Sequence, residues 1–281
     1  MRNFNINLYD EYDSFKGKSG AVLNAYLNEN FACIDRERKH PAIVICPGGA
    51  YIDHADRENE PVALYFLSKG FQVFVLKYSV HPVHYPMQLL EIAASVGYIR
   101  SKAEDFLIDK DKIFTIGFSA GGHLAAMAGI LWKEAVIGEK LGLNKRQVKP
   151  SGVILCYPVV SGKIYSEKIN AFDYLLGKEN KDKYDKLSLE NRVDGDSSPA
   201  FIWHTFTDAS VPVRSAVVLA EAYIKSGVKL ELHIFSGGVH GLSLANDVCA
   251  SDKCPQYYNE QAAEWKVLLD NWLGKEYGIR K

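Results

Sequence analysis

The sequence is short of several features that would assign it to a specialised class of protein. Its 33 Lys and Arg residues almost balance its 34 Asp and Glu residues, which leaves a net charge of −1. This balance, without basic clusters, argues against nucleic acid or an anionic membrane as a partner. No apolar run approaches the roughly 18–20 residues of a membrane-spanning helix, and the first residues lack the apolar segment of a secretory signal. We therefore expect neither a membrane partner nor an export signal.

Cysteine is also scarce, and its five positions form an odd set. Cys46 and Cys156 lie in apolar runs and are predicted to be buried thiols. Cys249 and Cys254 lie close together but lack the second pair that a zinc site would need. A disulfide between them is the alternative. The set as a whole fits a reduced protein, which predicts a cytoplasmic location.

What the chain does have is enough apolar sequence for a sizeable core. It contains 281 residues, of which 47% are hydrophobic and 24% are charged, and this fits one large domain over residues 1–281. Short apolar runs alternate with helical stretches, which predicts an α/β fold with a mostly parallel central sheet covered by helices on both faces. The predicted strands are 21–27, 41–46, 71–76, 113–116, 152–157, 199–204 and 230–235, and the main predicted helices are 60–69, 87–106, 122–128, 212–226 and 256–273.

One connection stands apart from the others. Residues 159–198 form a charged, tyrosine-containing segment with one helical fragment near 172–176. Such a length is unusual for a link between two strands of a compact domain. The segment therefore predicts an inserted cap or lid beside a functional site, with a plain surface excursion as the alternative.

The stretch KIFTIGFSAGGH at residues 112–123 is the one around which the chain is organised. A strand pattern runs into the pattern G-x-S-x-G, centred on Ser119, and a helical composition follows. This context is typical of a nucleophile elbow, in which a serine lies on a tight strand-to-helix turn. Gly117 and Gly121 remove side chains that would collide there, and the start of the following helix favours developing negative charge. Ser119 is therefore predicted to be a nucleophile; a glycine-rich turn that only packs a helix on a sheet is the alternative.

A nucleophilic serine needs a base, and the base needs an acid to orient it. In an open parallel sheet both come from loops at the carboxyl ends of strands. His240 follows the strand at 230–235, and Asp208 follows the strand at 199–204. These are the predicted base and acid. Two alternatives stay open: Asp208 could cap the helix after it, and His240 could be structural.

The seven other histidines have no comparable position after a strand. His123 is predicted to brace a neighbouring loop, whereas His40 and His54 lie in polar loops and are predicted to be solvated. His81 and His84 lie in a loop rich in proline. This loop could reach the site, and His84 is therefore a candidate for substrate contact.

The remaining requirement is a set of donors where negative charge develops on the reacting oxygen. The N–H of Ala120, directly after the candidate nucleophile, is one. The small residues Gly48, Gly49 and Ala50 follow the strand at 41–46 and could supply the others, because they let the backbone approach a substrate closely. A simple turn after a strand is the alternative.

Together these motifs resemble the α/β-hydrolase superfamily. More narrowly, they are similar to bacterial carboxylesterases of the acetyl-xylan-esterase-like type, related to the hormone-sensitive-lipase and feruloyl-esterase branches. The resemblance is carried by Pro47-Gly48-Gly49-Ala50-Tyr51, by Gly117-Phe118-Ser119-Ala120-Gly121-Gly122-His123, by Asp208 with Val211-Pro212, and by His240-Gly241-Leu242.

The resemblance assigns roles to particular residues. It implies a triad of Ser119, Asp208 and His240, in the chain order of the superfamily. It implies oxyanion donors at Gly49, Ala50 and Ala120, and substrate contacts are expected from Tyr51, His84 and Gly48. Related lipases carry His-Gly-Gly-Gly where this chain has Pro47 and Ala50 at the outer positions. Which of the three small residues donates is left open.

The implied activity is hydrolysis of carboxylic esters by a serine enzyme through an acyl-enzyme, without metal or cofactor. The resemblance favours short acyl groups, acetyl above all, on a sugar or oligosaccharide, which the cap residues Tyr165, Tyr174 and Tyr184 could contact. The partner is then a small-molecule ester, and a homodimer is left open. A serine peptidase of the prolyl-oligopeptidase branch is one rival, although 281 residues leave no room for its gating domain. A non-catalytic α/β-hydrolase scaffold is the other.

Overall fold

The computed structural model describes residues 1–164 and 170–279, and these residues contain an eight-stranded sheet. The strands are β1 (Arg2–Asn7), β2 (Val22–Leu27), β3 (His40–Cys46), β4 (Gln72–Lys77), β5 (Ile108–Phe118), β6 (Gly152–Cys156), β7 (Ala200–Thr205) and β8 (Leu230–Phe235). Their order across the sheet is β1-β2-β4-β3-β5-β6-β7-β8. The six strands from β4 to β8 in this order are parallel, whereas β2 is antiparallel to both β1 and β4. The predicted α/β fold with a mostly parallel sheet is confirmed.

Helices cover both faces of this sheet. They are α1 (Leu8–Glu11), α2 (Glu60–Ser68), α3 (Met87–Ser101), α4 (Ala120–Ile130), α5 (Ala135–Leu141), α6 (Lys145–Val148), α7 (Ala171–Leu176), α8 (Tyr184–Leu187), α9 (Arg214–Lys225), α10 (Glu260–Ala263) and α11 (Trp265–Tyr277). Helices α3, α4 and α9 pack on one face, and α2 and α11 pack on the other. Within the described ranges, no helix combines the length and the apolar character needed to cross a membrane.

The central strands contain runs of mainly apolar residues because both of their faces are covered. In β3, Ala42 and Val44 belong to the core on one side of the sheet, and Ile43 and Ile45 belong to the core on the other. Successive side chains of a strand point to opposite faces, so a strand buried on both sides reads as a continuous apolar run. This is the pattern from which the strand was predicted.

The helix predicted at 87–106 is too long, because it ends at Ser101. Residues 102–107 form turns, and Leu107 has a φ of 55°, which an α-helix of L-residues does not accommodate. The chain reverses here in order to enter β5, and the carbonyl of Leu107 accepts the N–H of His40 at 2.7 Å. The side chain of His40 is itself buried rather than solvated as predicted.

Two other helix starts also differ from the prediction. Helix α9 begins after Pro212 rather than at it, because Pro212 lies in the preceding turn. The helix predicted at 256–273 is found as α10 and α11, and the first of these begins only at Glu260. The reason is a local cap: Asn259 Oδ1 accepts the N–H of Ala262 at 2.8 Å, as polar residues do at a helix start.

The long connection at 159–198 packs into the body of the protein over its described part. It contains α7 and α8, and it places Phe172, Leu175, Leu187 and Leu189 in the same core cluster as α4. The segment is therefore anchored by apolar burial. Its designation as a cap of a single domain over 1–281 stays a prediction.

A close contact between α4 and the end of β3 fixes the position of the elbow. A Cβ at Gly121 would lie 2.0 Å from the carbonyl oxygen of Cys46 and 2.4 Å from that of Pro47. Both are backbone atoms, so a side chain could be accommodated only by moving the strand end or the helix. We therefore expect Gly121→Ala to destabilise the fold by several kcal/mol, beyond the roughly 1 kcal/mol of an average substitution.

The matched control for this substitution is Gly138→Ala in α5. There the nearest atom to the added Cβ would be the carbonyl oxygen of Leu143, at an ordinary 3.7 Å. Because alanine is the better helix former, this variant should match or exceed the wild-type stability by about 0.5–1 kcal/mol. Denaturant unfolding of both variants is the measurement, and a Gly121→Ala variant as stable as the control would refute the contact argument.

Candidate active site

The elbow is a single residue between a strand and a helix. Ser119 follows the last residue of β5 and precedes the first residue of α4, with φ 54° and ψ −120°. Such a conformation is costly for a residue other than glycine and persists only where the surroundings hold it. The N–H of Ser119 donates to the carbonyl of Cys156 at 3.0 Å, and its carbonyl accepts the N–H of Val159 at 3.0 Å. The strand–turn–helix context predicted for this serine is therefore present.

The structure brings together the three residues predicted as a triad. His240 Nε2 lies 2.8 Å from Ser119 Oγ, and His240 Nδ1 lies 2.6 Å from Asp208 Oδ2. Asp208 lies in the loop after β7 and His240 in the loop after β8, both at the carboxyl edge of the sheet. The Asp208 side chain is fully buried, whereas the imidazole is 22% exposed. The imidazole of His240 is thus accessible from outside while the Asp208 carboxylate is not.

Asp208 uses its two carboxylate oxygens for different purposes. Oδ1 accepts the N–H groups of Ser210 and Val211 at 2.8 and 2.9 Å, and Oδ2 faces His240. Burial alone would raise the pKa of Asp208, but the hydrogen bond and charge of His240 and the N–H of Val211 together hold that pKa below its ordinary value. The carboxylate is therefore ionised at neutral pH. The same side chain thus accepts hydrogen bonds from the backbone of its own loop and faces the imidazole of His240.

Two other buried histidines close to the site are held neutral. Burial lowers the pKa of His204 and of His123 to about 4 in each case. His123 Nε2 lies 2.9 Å from the carbonyl oxygen of Leu187, and its Nδ1 lies 2.9 Å from the hydroxyl of Tyr51. The prediction that His123 braces a neighbouring loop is confirmed. Neither imidazole is hydrogen-bonded to the Ser119 hydroxyl, whose side-chain partner is His240.

The N–H groups of Gly48, Gly49 and Ala50 differ in whether they already donate a hydrogen bond within the protein. The N–H of Gly48 donates to Glu58 Oε2 at 2.7 Å and is therefore not available to a substrate. In contrast, no hydrogen bond within the described ranges engages the N–H of Gly49, Ala50 or Ala120. Gly49 and Ala50 line the same cavity as Ser119. The arrangement favours these two residues, and not Gly48, as donors beside Ala120.

Tyr51, His84 and Gly48, from which substrate contacts are predicted, are not among the residues that line the cavity, and their contact with a substrate stays a prediction. Tyr51 is fully buried; its φ of 59° turns the side chain into the core, where it meets His123. His84 Nδ1 is engaged by the carbonyl of Tyr174 at 3.1 Å. Gly48 lies behind the cavity wall on Glu58.

Two tyrosines of the segment 159–198, Tyr174 and Tyr184, pack against other side chains. Tyr184 is buried against Phe172, with ring centroids 5.5 Å apart, and Tyr174 packs against His81 at 5.7 Å. Neither lines the cavity. Tyr165 lies outside the described residues. What the segment does contribute is smaller side chains, notably Asn170 and Ala171.

The cavity above Ser119 has a volume of about 500 Å³. Its lining residues are Gly49, Ala50, Ile52, Ala55, Arg57, Glu58, Ser119, Val159, Ile164, Asn170, Ala171, Ser210, Val211, His240, Gly241 and Tyr257. Sequence reasoning missed three charged or aromatic members, Arg57, Glu58 and Tyr257. Arg57 lies over the ring of Tyr257 at 3.5 Å, and Glu58 is buried. In the sequence Arg57 and Glu58 precede a helix among polar residues, so no local pattern marks them as part of a pocket.

The described residues that line the cavity form no arrangement of side chains that is suited to a metal ion. Across residues 1–164 and 170–279, no group of three or more His, Cys, Asp or Glu side chains could hold one. Cys249 and Cys254 are free thiols, and the alternative disulfide between them is not formed. Cys46 and Cys156 are buried, as predicted.

Comparison with known proteins agrees with this geometry. The chain is 32% identical to the acetyl ester-xyloside bifunctional hydrolase of Caldicellulosiruptor lactoaceticus, with a TM-score of 0.77 over 93% of this chain and 90% of that one. It is 27% identical to the carboxylesterase Cest-2923 of Lactobacillus plantarum WCFS1, with a TM-score of 0.84 over 100% and 98% of the two chains.

Among curated proteins, the chain resembles parts of longer relatives. It is 29% identical over 257 residues to endo-1,4-beta-xylanase B of Butyrivibrio fibrisolvens, covering 88% of this chain and 39% of that protein. It is 28% identical over 247 residues to the acetylxylan esterase of Xylanibacter ruminicola, covering 85% and 46%. The chain thus spans less than half the length of each of these two curated relatives.

The BD-FAE family profile matches residues 26–223, which include the elbow, the Gly49 and Ala50 turn and Asp208. The resemblance inferred from the sequence motifs is therefore confirmed at the level of the superfamily. By its sequence, its sheet and the residues at the carboxyl edge of that sheet, this chain belongs to the BD-FAE family of α/β-hydrolases.

Proposed function

We propose that this protein is a serine hydrolase that cleaves carboxylic esters, with Ser119 as the nucleophile. The observation that carries the proposal is the continuous chain of short contacts from Ser119 Oγ through the imidazole of His240 to the buried carboxylate of Asp208, at 2.8 and 2.6 Å. This is the arrangement in which a serine hydroxyl can lose its proton as it attacks a carbonyl carbon. Relatives named as esterases and an acetylxylan esterase support the same class of reaction.

The reaction would proceed in two halves. His240 Nε2 takes the proton of Ser119 Oγ, which bonds to the ester carbonyl carbon, and the carbonyl oxygen becomes an oxyanion beside the N–H groups of Gly49, Ala50 and Ala120. Collapse breaks the bond to the alcohol, which leaves with the proton from His240. Water then attacks the acyl carbon and gives a proton to His240 Nε2. The bond from the acyl carbon to Ser119 Oγ breaks, the acid is released, and His240 returns the proton to Ser119 Oγ.

The substrate we propose is a small ester with a short acyl group, acetyl above all, on a sugar or oligosaccharide. The names of the relatives support this class, and a cavity of about 500 Å³ suits a small molecule. The segment 159–198 supplies Val159, Ile164, Asn170 and Ala171 to the cavity wall. We therefore propose that it acts as the cap of a single hydrolase domain.

Replacement of the nucleophile is the direct test. Ser119→Ala should reduce kcat roughly 10^4- to 10^6-fold on p-nitrophenyl acetate, because only binding and oxyanion stabilisation remain. The melting temperature should be unchanged, since the Ser119 side chain makes no core contact. Ser236→Ala is the control: its hydroxyl is exposed and bonds Gln261, so the rate should stay at the wild-type level. Esterase activity retained by the Ser119→Ala variant would reject the proposal. If the wild type cleaved peptide p-nitroanilides faster than p-nitrophenyl acetate, the protein would instead be a peptidase.

The acyl group provides a second test. We expect acetyl and propionyl p-nitrophenyl esters to be cleaved with a much higher kcat/KM than octanoyl esters. The cavity has to hold the acyl and alcohol parts of the ester together, so a long chain would compete with the alcohol for the same space. A series of acyl lengths measured at one pH gives the answer, and a preference for long chains would point to a lipase instead.

The two roles of Asp208 are separated by Asp208→Asn. The amide oxygen can still accept the N–H groups of Ser210 and Val211, but the NH₂ group then faces His240 Nδ1. That nitrogen must become an acceptor, which puts the proton of the neutral ring on Nε2, opposite Ser119, where a base needs a lone pair. We expect kcat to fall by about 10^4, as in serine proteases, with little change in melting temperature. A nearly wild-type rate would mean that Asp208 only braces its loop.

A further inference from the structure

Glu58 is a buried carboxylate at the wall of the cavity that the proposed chemistry does not use. It ends the 3₁₀ turn Asp56–Glu58 and is 2% exposed. Its Oε2 accepts the N–H of Gly48 at 2.7 Å, and its Oε1 accepts the hydroxyl of Tyr157 at 2.7 Å. A buried charge is unfavourable unless such donors compensate it. Donors from two different loops therefore converge on this one side chain.

The directions of these hydrogen bonds fit an ionised Glu58. The hydroxyl oxygen of Tyr157 already accepts the N–H of Ser243 at 2.9 Å, so its own hydrogen points to Glu58. With the N–H of Gly48, two hydrogens then converge on the carboxyl group, and a proton on Glu58 itself would add a third without an acceptor. Burial raises the pKa of Glu58, while the bonds from Tyr157 and Gly48 and the charges of His240 and Arg57 oppose that rise.

Glu58 connects the two loops on which the proposed reaction depends. Gly48 leads into the turn that carries the oxyanion donors Gly49 and Ala50. Tyr157 packs against the ring of His240, with centroids 5.1 Å apart and planes at 68°. Its hydroxyl also holds Ser243, in the loop that carries His240.

Backbone strain is concentrated on the same segments. Ala50, Ser119, Tyr157 and Ser243 have φ values of 56°, 54°, 38° and 54°. Residues other than glycine remain in this region only where their surroundings fix them, and such positions cluster at functional sites. The hydrogen bonds of Glu58 help to supply that fixation.

We propose that Glu58 is a positioning residue of the site: it holds the oxyanion turn and the His240 loop in register, and its negative charge favours the protonated imidazole formed during attack. This inference rests on the proposed function. The placement of the loops and the stabilisation of the imidazolium are linked, because the same carboxylate accepts both hydrogen bonds and carries the negative charge. Glu58 does not contact the reacting atoms.

The effect of the Glu58 charge on the His240 imidazole adds to the effects of the other groups around that ring. Asp208 contacts the imidazole directly, whereas Glu58 acts through space in a partly buried site, where charges are weakly screened. The influence is mutual, because the charge of His240 lowers the pKa of Glu58. The titratable and charged groups that face His240 are Asp208, Glu58, Arg57, His204 and Tyr157.

The experiment compares Glu58→Gln with Tyr157→Phe on p-nitrophenyl acetate. Glu58→Gln removes the charge and leaves the shape; kcat should fall roughly 10- to 100-fold through misplacement of the two loops, with KM nearly unchanged. The acid limb of kcat/KM should also move to lower pH, by roughly half a unit to one unit, because the imidazolium loses a stabilising anion. Tyr157→Phe removes one hydrogen bond and keeps the charge, so kcat should fall without a shift of the limb to lower pH.

The outcomes separate this inference from the proposed function. A folded Glu58→Gln variant with a wild-type kcat, or with an unmoved acid limb, overturns the positioning role. If that variant does not fold, Tyr157→Phe decides: a lowered kcat at wild-type melting temperature supports the role, and a wild-type kcat overturns it. The function itself is judged by Ser119→Ala. Loss of activity in that variant, beside an unaffected Glu58→Gln variant, would leave the esterase proposal standing and remove Glu58 from it.

Discussion

The close approach of α4 to the ends of β3 and β5 is the constraint on which the site depends. At Gly117 and Gly121 an added Cβ would lie 2.0 Å from a backbone carbonyl oxygen, so the helix can begin only where the strands leave room for it. This contact forces Ser119 into its positive φ and turns its hydroxyl towards the carboxyl edge of the sheet. It also sets the turn at Gly49 and Ala50 beside the serine. Two chain segments far apart in sequence therefore share one small space.

Two buried carboxylates, Asp208 and Glu58, lie at the carboxyl edge of the sheet. The hydrogen bond and the charge of His240 hold the pKa of Asp208 below its ordinary value, whereas burial raises the pKa of Glu58. Each gives one oxygen to the backbone of a loop. The other oxygen of Asp208 faces Nδ1 of His240 directly, whereas the other oxygen of Glu58 accepts the hydroxyl of Tyr157, whose ring packs against His240. Asp208 and Glu58 therefore each affect both the position of a loop and the electrostatic environment of the His240 imidazole.

The features that could be predicted from the sequence are those whose pattern lies within a few neighbouring residues. The buried strands are uninterrupted apolar runs, and the elbow is fixed by glycines within two residues of Ser119, so both were found. The helix predicted at 87–106 was too long because the turn at Leu107 depends on pairing with His40, far along the chain. Glu58 was missed for the same reason: its burial depends on Tyr157 and Gly48, which no pattern around Glu58 reveals. The burial of Tyr51 against His123 is not visible in the sequence either, because it depends on the backbone conformation at that residue.

The elbow helix α4 also connects the segment 159–198 to the turn that contains Gly49 and Ala50. His123, on α4, lies within 2.9 Å of the hydroxyl of Tyr51 on one side and of the Leu187 carbonyl on the other. A carbonyl can only accept, so His123 Nε2 carries the ring's single proton and Nδ1 accepts from Tyr51. Burial holds the pKa of His123 at about 4, which preserves this neutral form and its two different bonds through the neutral pH range. Because Tyr51 directly follows Ala50, one imidazole connects the packing of the segment to the position of Ala50, the proposed oxyanion donor.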